Sequence, residues 1–232
     1  VGLGCMGFSH ASGDPTEKSV AVRTLREAYE IGYDFFDTAE SYTGVNPDRT
    51  ISYNEELVGE AVKGIRDKVV IATKMGVSHT ADRSLKLDSS PETIRRSVEG
   101  SLKKLGTDYI DLYYQHRIDP KVAPETVAET MSELIKEGKI RYWGISEATE
   151  EYLRRAHAEN YRFFGGFPEA ERTVLGVFPD YMEPLDEEFP VTGLTVKFRR
   201  QDALSHRDFM GSFLAQGVVR ASLGDILAEE GR

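Results

Sequence analysis

The chain has 232 residues, 40% of them hydrophobic, which suffices for the core of one large or two small domains. Its net charge of −10 argues against a general nucleic-acid or anionic-membrane surface, and its single cysteine excludes an internal disulfide or a thiolate metal cluster. There is no signal-peptide pattern, no low-complexity tract and no apolar run near the ~18 residues of a membrane span, so the cytoplasm is the expected compartment.

In chain order, Val1–Gly7 is Gly-rich and apolar, which fits a short strand opening into a loop of close backbone approach and equally an ordinary turn. The absence of an initial methionine makes a fragment the expectation. From Thr16, Ala21, Leu25, Ala28 and Tyr29 fall at helical spacing, and Gly32 ends that helix. Tyr33–Phe36 reads as a short buried strand running out into a polar turn with Asp37, Thr38, Glu40, Ser41 and Tyr42. Asn54–Gly64 is a second helix with Leu57, Ala61 and Val62 on one side, and Lys68–Lys74 is a β-branched run short enough for a doubly buried strand.

A long polar loop over Val77–Ser89 leads to a helix capped by Ser90, with Pro91 in its first turn, a stripe of Ile94, Val98, Leu102 and Leu105, and Gly106 at its end. Tyr109–Tyr114 is the next strand, with Gln115-His116-Arg117 as its polar exit. A helix over Ala123–Glu137 carries Val127, Met131, Leu134 and Ile135 and stops at Gly138. Ile140–Ile145 is a strand ending in Ser146-Glu147, and Thr149 caps a helix through Tyr152, Leu153 and Ala156. The alternation predicts an α/β fold of parallel strands joined by crossover helices. About five such units over residues 1–160 make an incomplete (β/α)₈ barrel of TIM type, where a closed one has eight. A small α+β segment over residues 161–232 follows.

Ligands and chemistry sit at the carboxyl ends of the strands in such folds. Asp37 with Tyr42, then Lys74, then His116, with Ser146 after them, all stand at predicted strand ends. Neighbouring strands lie about 4.8 Å apart, so these residues can converge on one pocket. Singly each has a plainer reading: a solvated lysine, a packed or surface histidine, a tyrosine filling a loop. Together they have a chemistry. An ammonium beside a phenol stabilises the phenolate, which turns a poor acid into a usable one. Lys74 is the candidate ammonium, Asp37 its partner, Tyr42 the general acid, and His116 the group that orients a substrate carbonyl oxygen.

Val1-Gly2-Leu3-Gly4-Cys5-Met6-Gly7, FFDTAESY, NEELVGEAV (54–62), VVIATKMG (69–76), SLKKLGTDYIDLYYQHRIDP (101–120) and IRYWGISEA (140–148) resemble the aldo-keto reductases, in family order, over about residues 1–160. The resemblance implies NADPH-dependent reduction of aldehydes or ketones on a (β/α)₈ barrel. It implies that Asp37, Tyr42, Lys74 and His116 are the catalytic tetrad, with Tyr42 protonating the carbonyl oxygen. Gly4, Cys5, Met6, Asp37, Ser146 and Glu147 match positions around the nicotinamide ribose and carboxamide, which makes Cys5 a backbone contact rather than a redox thiol.

Beyond about residue 160 that pattern is not found: neither the aromatic that stacks on the nicotinamide nor the later loops that grip the pyrophosphate and 2′-phosphate. Weakened NADPH binding is therefore expected. FFGGFPEAERTVLGVFPDY (163–181), VTGLTVKFR (191–199) and the stretch from Leu204 to Arg232 instead resemble the middle region of a bacterial and plastid family of S4-domain RNA-binding proteins. Val191–Phe198 alternates as a strand, and Ser205 caps a helix with Phe209, Phe213 and Leu214 inward. Lys197, Arg199, Arg200, Arg207 and Arg220 are candidate phosphate contacts, against a merely solvated surface. Three readings follow: a carbonyl reductase, an RNA-associated protein working through residues 163–232, and an inactive join of two unrelated segments.

Overall fold

The computed structural model describes residues 2–11, 13–80 and 84–163, with three further strands at 175–177, 189–191 and 194–196. Its elements in chain order are β1 (Gly2–Gly4), α1 (Lys18–Glu30), β2 (Phe35–Asp37), β3 (Thr43–Val45), β4 (Ile51–Tyr53), α2 (Asn54–Val62), β5 (Val70–Met75), β6 (Val77–His79), β7 (Leu85–Leu87), α3 (Pro91–Leu105), β8 (Ile110–Gln115), α4 (Pro124–Lys136), β9 (Ile140–Ser146), α5 (Glu150–Phe163), β10 (Leu175–Val177), β11 (Phe189–Val191) and β12 (Leu194–Val196). A 3₁₀ turn at Met6–Phe8 follows β1, and another at Arg66–Lys68 precedes β5.

One parallel sheet in the order β1-β2-β5-β8-β9-β10 organises the molecule. This architecture is consistent with part of a (β/α)₈ barrel, as predicted, but among the described residues the parallel sheet has six strands, where the sequence reading has about five units. The addition is β10, paired to β9 through Leu175↔Gly144 and Val177↔Ser146. A three-residue strand interrupted by Gly176 is too short for alternation to register in the sequence. Within the strand expected over Val191–Phe198, Leu194–Val196 is β12, which pairs antiparallel with β11, while Val191 is the last residue of β11. The helix expected after Ser205, the cations Lys197, Arg199, Arg200, Arg207 and Arg220, and most of the S4-like stretch lie outside the described residues.

Period-two alternation divides the side chains of the sheet. Phe36, Ile71, Met75, Tyr113, Trp143 and Ile145 face outward into the main core, against α1 to α5. Phe35, Val70, Ala72, Leu112 and Tyr114, with Tyr142 against them, form a smaller cluster on the inner face. The helices present the stripes that the sequence predicts: Ala21, Leu25 and Ala28 are buried on α1, and Ile94, Val98, Leu102 and Leu105 on α3. α1 starts two residues later than expected because the Glu17 carboxylate, not a residue at 16, accepts the N–H groups of Ser19 and Val20 at 3.0 and 3.1 Å. α3 is capped by Ser90 and closed by Gly106, whose φ of 65° carries the left-handed turn.

The polar loop expected over Val77–Ser89 is in part an antiparallel hairpin, β6 with β7, and a second hairpin, β3 with β4, connects the Tyr42 turn to α2. Both stand beside the carboxyl ends of the parallel strands. Gly44 is required in β3, since a Cβ there would meet the Ser9 carbonyl oxygen at 2.2 Å.

Candidate active site

The alternation that puts Phe35, Ala72 and Tyr114 on the inner face puts Asp37, Lys74 and His116 there as well, each two residues further along its strand. Asp37 pairs with Ala72 in register, and Lys74 with Tyr114, so each next strand carries its site residue one step further toward the open end. Asp37 is the last residue of β2 and Lys74 lies within β5, while His116 directly follows β8 and Tyr42 ends the turn after β2, so the candidate site is built from strand ends and the first residues past them. The turn holding Tyr42 is strapped to β5: Thr38 N–H donates to Ala72 O at 2.8 Å and Glu40 N–H to Lys74 O at 3.1 Å. The Glu40 carboxylate accepts the Gly76 N–H at 2.8 Å, which fixes the turn from its other side.

The four predicted tetrad residues come together. Lys74 Nζ pairs with the Asp37 carboxylate, donates to Thr38 O at 2.8 Å and donates to Tyr42 Oη at 3.3 Å, so all three ammonium protons are engaged. Lys74 and Asp37 are each 3% exposed, and Tyr42 and His116 each 8%. Burial works against the Lys74 charge, but Asp37 outweighs it, with Tyr42 adding to the same side, and the amine is held above its usual range. The ammonium therefore persists in a site nearly closed to solvent.

The His116 ring stands edge-on to Tyr42, with centroids 5.7 Å apart at 82°, and its Nδ1 lies 3.4 Å from Ser41 Oγ. Burial, then the nearby Lys74 and Arg117 charges, push its pKa down to about 2. His116 is thus a neutral imidazole at physiological pH, suited to donate a hydrogen bond to an oxygen rather than to act as a cation.

Gly4 ends β1 opposite Asp37, and Cys5 N–H donates to Asp37 O at 2.8 Å. The Cys5 side chain is fully buried, and burial, with Asp37 beside it, pushes its thiol well up, away from thiolate chemistry. Met6 begins the 3₁₀ turn and is exposed. Ser146 ends β9, and Glu147 follows with a φ of 56°. Both are tied to Arg117, which donates to Ser146 Oγ at 3.2 Å and pairs with the Glu147 carboxylate at 2.8 Å.

Several neighbours escape the sequence reading. His10 stacks on Tyr42 with centroids 5.8 Å apart, and His79 packs on His10 at 5.4 Å, so a row of rings runs outward from His116. His10 Nδ1 lies 3.0 Å from Thr43 O, which can only accept, so that nitrogen carries the proton. Asn54, Ser9 and Arg117 also belong to the site by their hydrogen bonds. Only Arg117 stood beside a predicted site residue in sequence. Among the described residues no cluster of three or more His, Cys, Asp or Glu could hold a metal ion, and no helix is long and apolar enough to cross a membrane.

The sequence pattern of the Aldo/keto reductase family matches residues 1–163. This chain belongs to that family. It is 42% identical over 159 residues to Probable aldo-keto reductase 1 of Glycine max, covering 68% of this chain and 44% of that protein. The solved holo form of an aldo-keto reductase from Bacillus halodurans shares 35% identity at a TM-score of 0.55, over 67% of this chain and 49% of that one. An aldo-keto reductase from Klebsiella pneumoniae, solved in complex with NADPH, shares 27% at 0.53, over 75% and 52%. The chain thus spans about half the length of the family members it matches.

Proposed function

We propose that this aldo/keto reductase family chain is an oxidoreductase that reduces aldehydes or ketones to alcohols with NADPH, and that residues 1–160 are its working unit. One observation carries the reading: a buried lysine, paired with Asp37, reaches the Tyr42 hydroxyl at 3.3 Å while the neutral His116 ring stands beside the same phenol. The NADPH-bound relative supports the choice of cofactor.

The residues present fit the nicotinamide end of that cofactor. Gly4 offers open space where a side chain would otherwise stand, and Asp37, Ser146 and Glu147 present polar groups at the same strand ends. NADPH, when bound, supplies the hydride that reaches the carbonyl carbon. The chain's own residues manage the proton. His116 donates a hydrogen bond that holds the substrate oxygen in place, and Tyr42 passes its hydroxyl proton to that oxygen as the C=O bond becomes C–O. The phenolate left behind is stabilised by Lys74, whose charge Asp37 sustains, and a proton from solvent restores the phenol. The products are an alcohol and NADP⁺.

The test is a nicotinamide-fluorescence titration of the purified chain with NADPH, followed by turnover of 4-nitrobenzaldehyde. Binding with turnover is expected, together with a loss of at least about 10³-fold in Tyr42→Phe, within the range of a removed general acid. Turnover unchanged in Tyr42→Phe refutes the acid assignment, and a wild-type chain without turnover overturns the reading.

A further inference from the structure

Asn54 is the first residue of α2, after Tyr53 at the cap position, and is buried to 1% exposure. Every hydrogen bond its amide is paired through is short. Nδ2 donates to Cys5 O at 2.8 Å and to Ser9 Oγ at 2.8 Å, while Oδ1 accepts from Thr38 Oγ1 at 2.7 Å. Each partner touches a different member of the site. Ser9 Oγ donates to Tyr42 O at 3.0 Å, Cys5 N–H donates to Asp37 O at 2.8 Å, and Thr38 O accepts from Lys74 Nζ at 2.8 Å. The backbone N–H of Asn54 also donates to Tyr42 O, at 3.0 Å.

We propose that Asn54 is a positioning residue for the reduction, one amide that sets the mutual placement of Tyr42, Lys74 and Asp37 by clamping the β1 loop, the β2 turn and the start of α2 together. The proposal rests on the reading of the site given above. Its physical basis is that two donors and one acceptor fixed on a planar amide define three directions at once, which an aliphatic side chain cannot do and a hydroxyl, with a single donor, cannot match. β2 supplies Asp37, and the five-residue turn that ends at Tyr42 is held to β5 through Thr38 and Glu40, at its start and middle, while its Tyr42 end is held through Ser9 and Asn54. A catalytic pair held by a hydrogen bond of 3.3 Å is sensitive to such a shift, since a misplacement near 1 Å can cost about 100-fold in rate.

The variants are Asn54→Ala, Asn54→Asp, Ser9→Ala and Thr38→Val, with the double variant Asn54→Ala/Ser9→Ala. Asn54→Ala is expected to lose about 100-fold in kcat with KM for 4-nitrobenzaldehyde within about threefold of wild type, at a far-UV spectrum like that of wild type. Asn54→Asp keeps the acceptor for Thr38 but turns the donors toward Cys5 O and Ser9 Oγ into acceptors, and should lose nearly as much. Ser9→Ala alone should lose less, and should cost nothing further in the Asn54→Ala background, because both changes break one chain of hydrogen bonds. A fully additive double variant, or a kcat within threefold of wild type in Asn54→Ala, overturns the proposal. If Asn54→Ala does not fold, Ser9→Ala and Thr38→Val decide it by the same split of kcat against KM.

A crystal structure of Asn54→Ala gives a readout independent of activity. Lys74 Nζ and Tyr42 Oη beyond about 3.5 Å support the role, and an unchanged separation overturns it even if the wild-type chain reduces nothing.

Discussion

The two ends of the same parallel strands carry two charged clusters of opposite design. At the amino end, Asp111 on β8 takes Arg66 at 2.7 Å, Arg141 at 3.1 Å and the Ile71 N–H at 2.9 Å, and both guanidinium groups lie over the Tyr109 ring at 4.0 and 4.2 Å. Arg66 also donates to Thr107 Oγ1, Val69 O and Tyr109 O. That cluster is closed on itself, and its hydrogen bonds join α2, β5, β8 and β9 through their connecting turns. At the carboxyl end a single ammonium serves a carboxylate, a carbonyl and a phenol. There the Tyr42 oxygen accepts from Lys74, and on the proposed reading its hydroxyl is the group that serves the substrate. The difference teaches that charge pairing on a strand end is not by itself a mark of function; a polar atom left with chemistry to do is.

The comparison breaks most sharply at Lys74. Replacing it with Met should lower turnover by about 10³-fold or more, because the proton donor loses the charge that sustains it. It should also destabilise the chain by about 3–5 kcal/mol, since Asp37 remains buried without a partner. Adding Asp37→Asn should recover most of that stability and none of the turnover. Urea denaturation and steady-state kinetics on the same preparations read both, and a single variant as stable as wild type would show that Asp37 is not held by this pair.

At the amino end the expected effect is smaller and falls on stability alone. Asp111→Asn keeps an acceptor for Ile71 but removes the charge between two guanidinium groups that are 17% and 26% exposed. A loss of about 2 kcal/mol is expected, below the fully buried range because solvent screens both cations. kcat should stay within twofold of wild type. A large fall in kcat without loss of stability would erase the division between the two ends.

How much of this was legible beforehand follows from how each residue is held. Asp37, Lys74 and His116 were readable because each stands at or just past the end of a buried, β-branched or aromatic run, and strand ends in a parallel sheet converge whatever the loops do. The helices were readable from their stripes, with Ser90 and Gly106 marking both ends of α3. His10, His79 and Asn54 were not, because nothing local marks them. Asn54 looks like an ordinary helix start until the fold brings Cys5, Ser9 and Thr38 around it. The hairpins β3–β4 and β6–β7 were missed for another reason: strands of three residues lined by solvent carry no apolar alternation. The RNA-binding expectation falls almost wholly on residues outside those described, and none of the site geometry depends on it.

The smallest effect separates the neutral histidine from the charged lysine beside it. His116 titrates near 6.5 when unfolded and near 2 in the fold, so below pH 6.5 the unfolded chain binds a proton that the folded chain refuses. Its folded pKa is depressed, so stability falls as the pH is lowered from about 6.5, by about 1.4 kcal/mol per pH unit from this group alone, until the folded ring also protonates. His116→Gln should flatten the dependence of stability on pH between 6 and 4 by about that slope, measured by denaturant midpoints at fixed ionic strength. The same sign applies to the rate: with the imidazole already neutral, kcat should show no acid limb near pH 6.5. A limb there that disappears in His116→Gln would mean that the ring is protonated in the working site, and that the burial, Lys74 and Arg117 together do not keep it neutral.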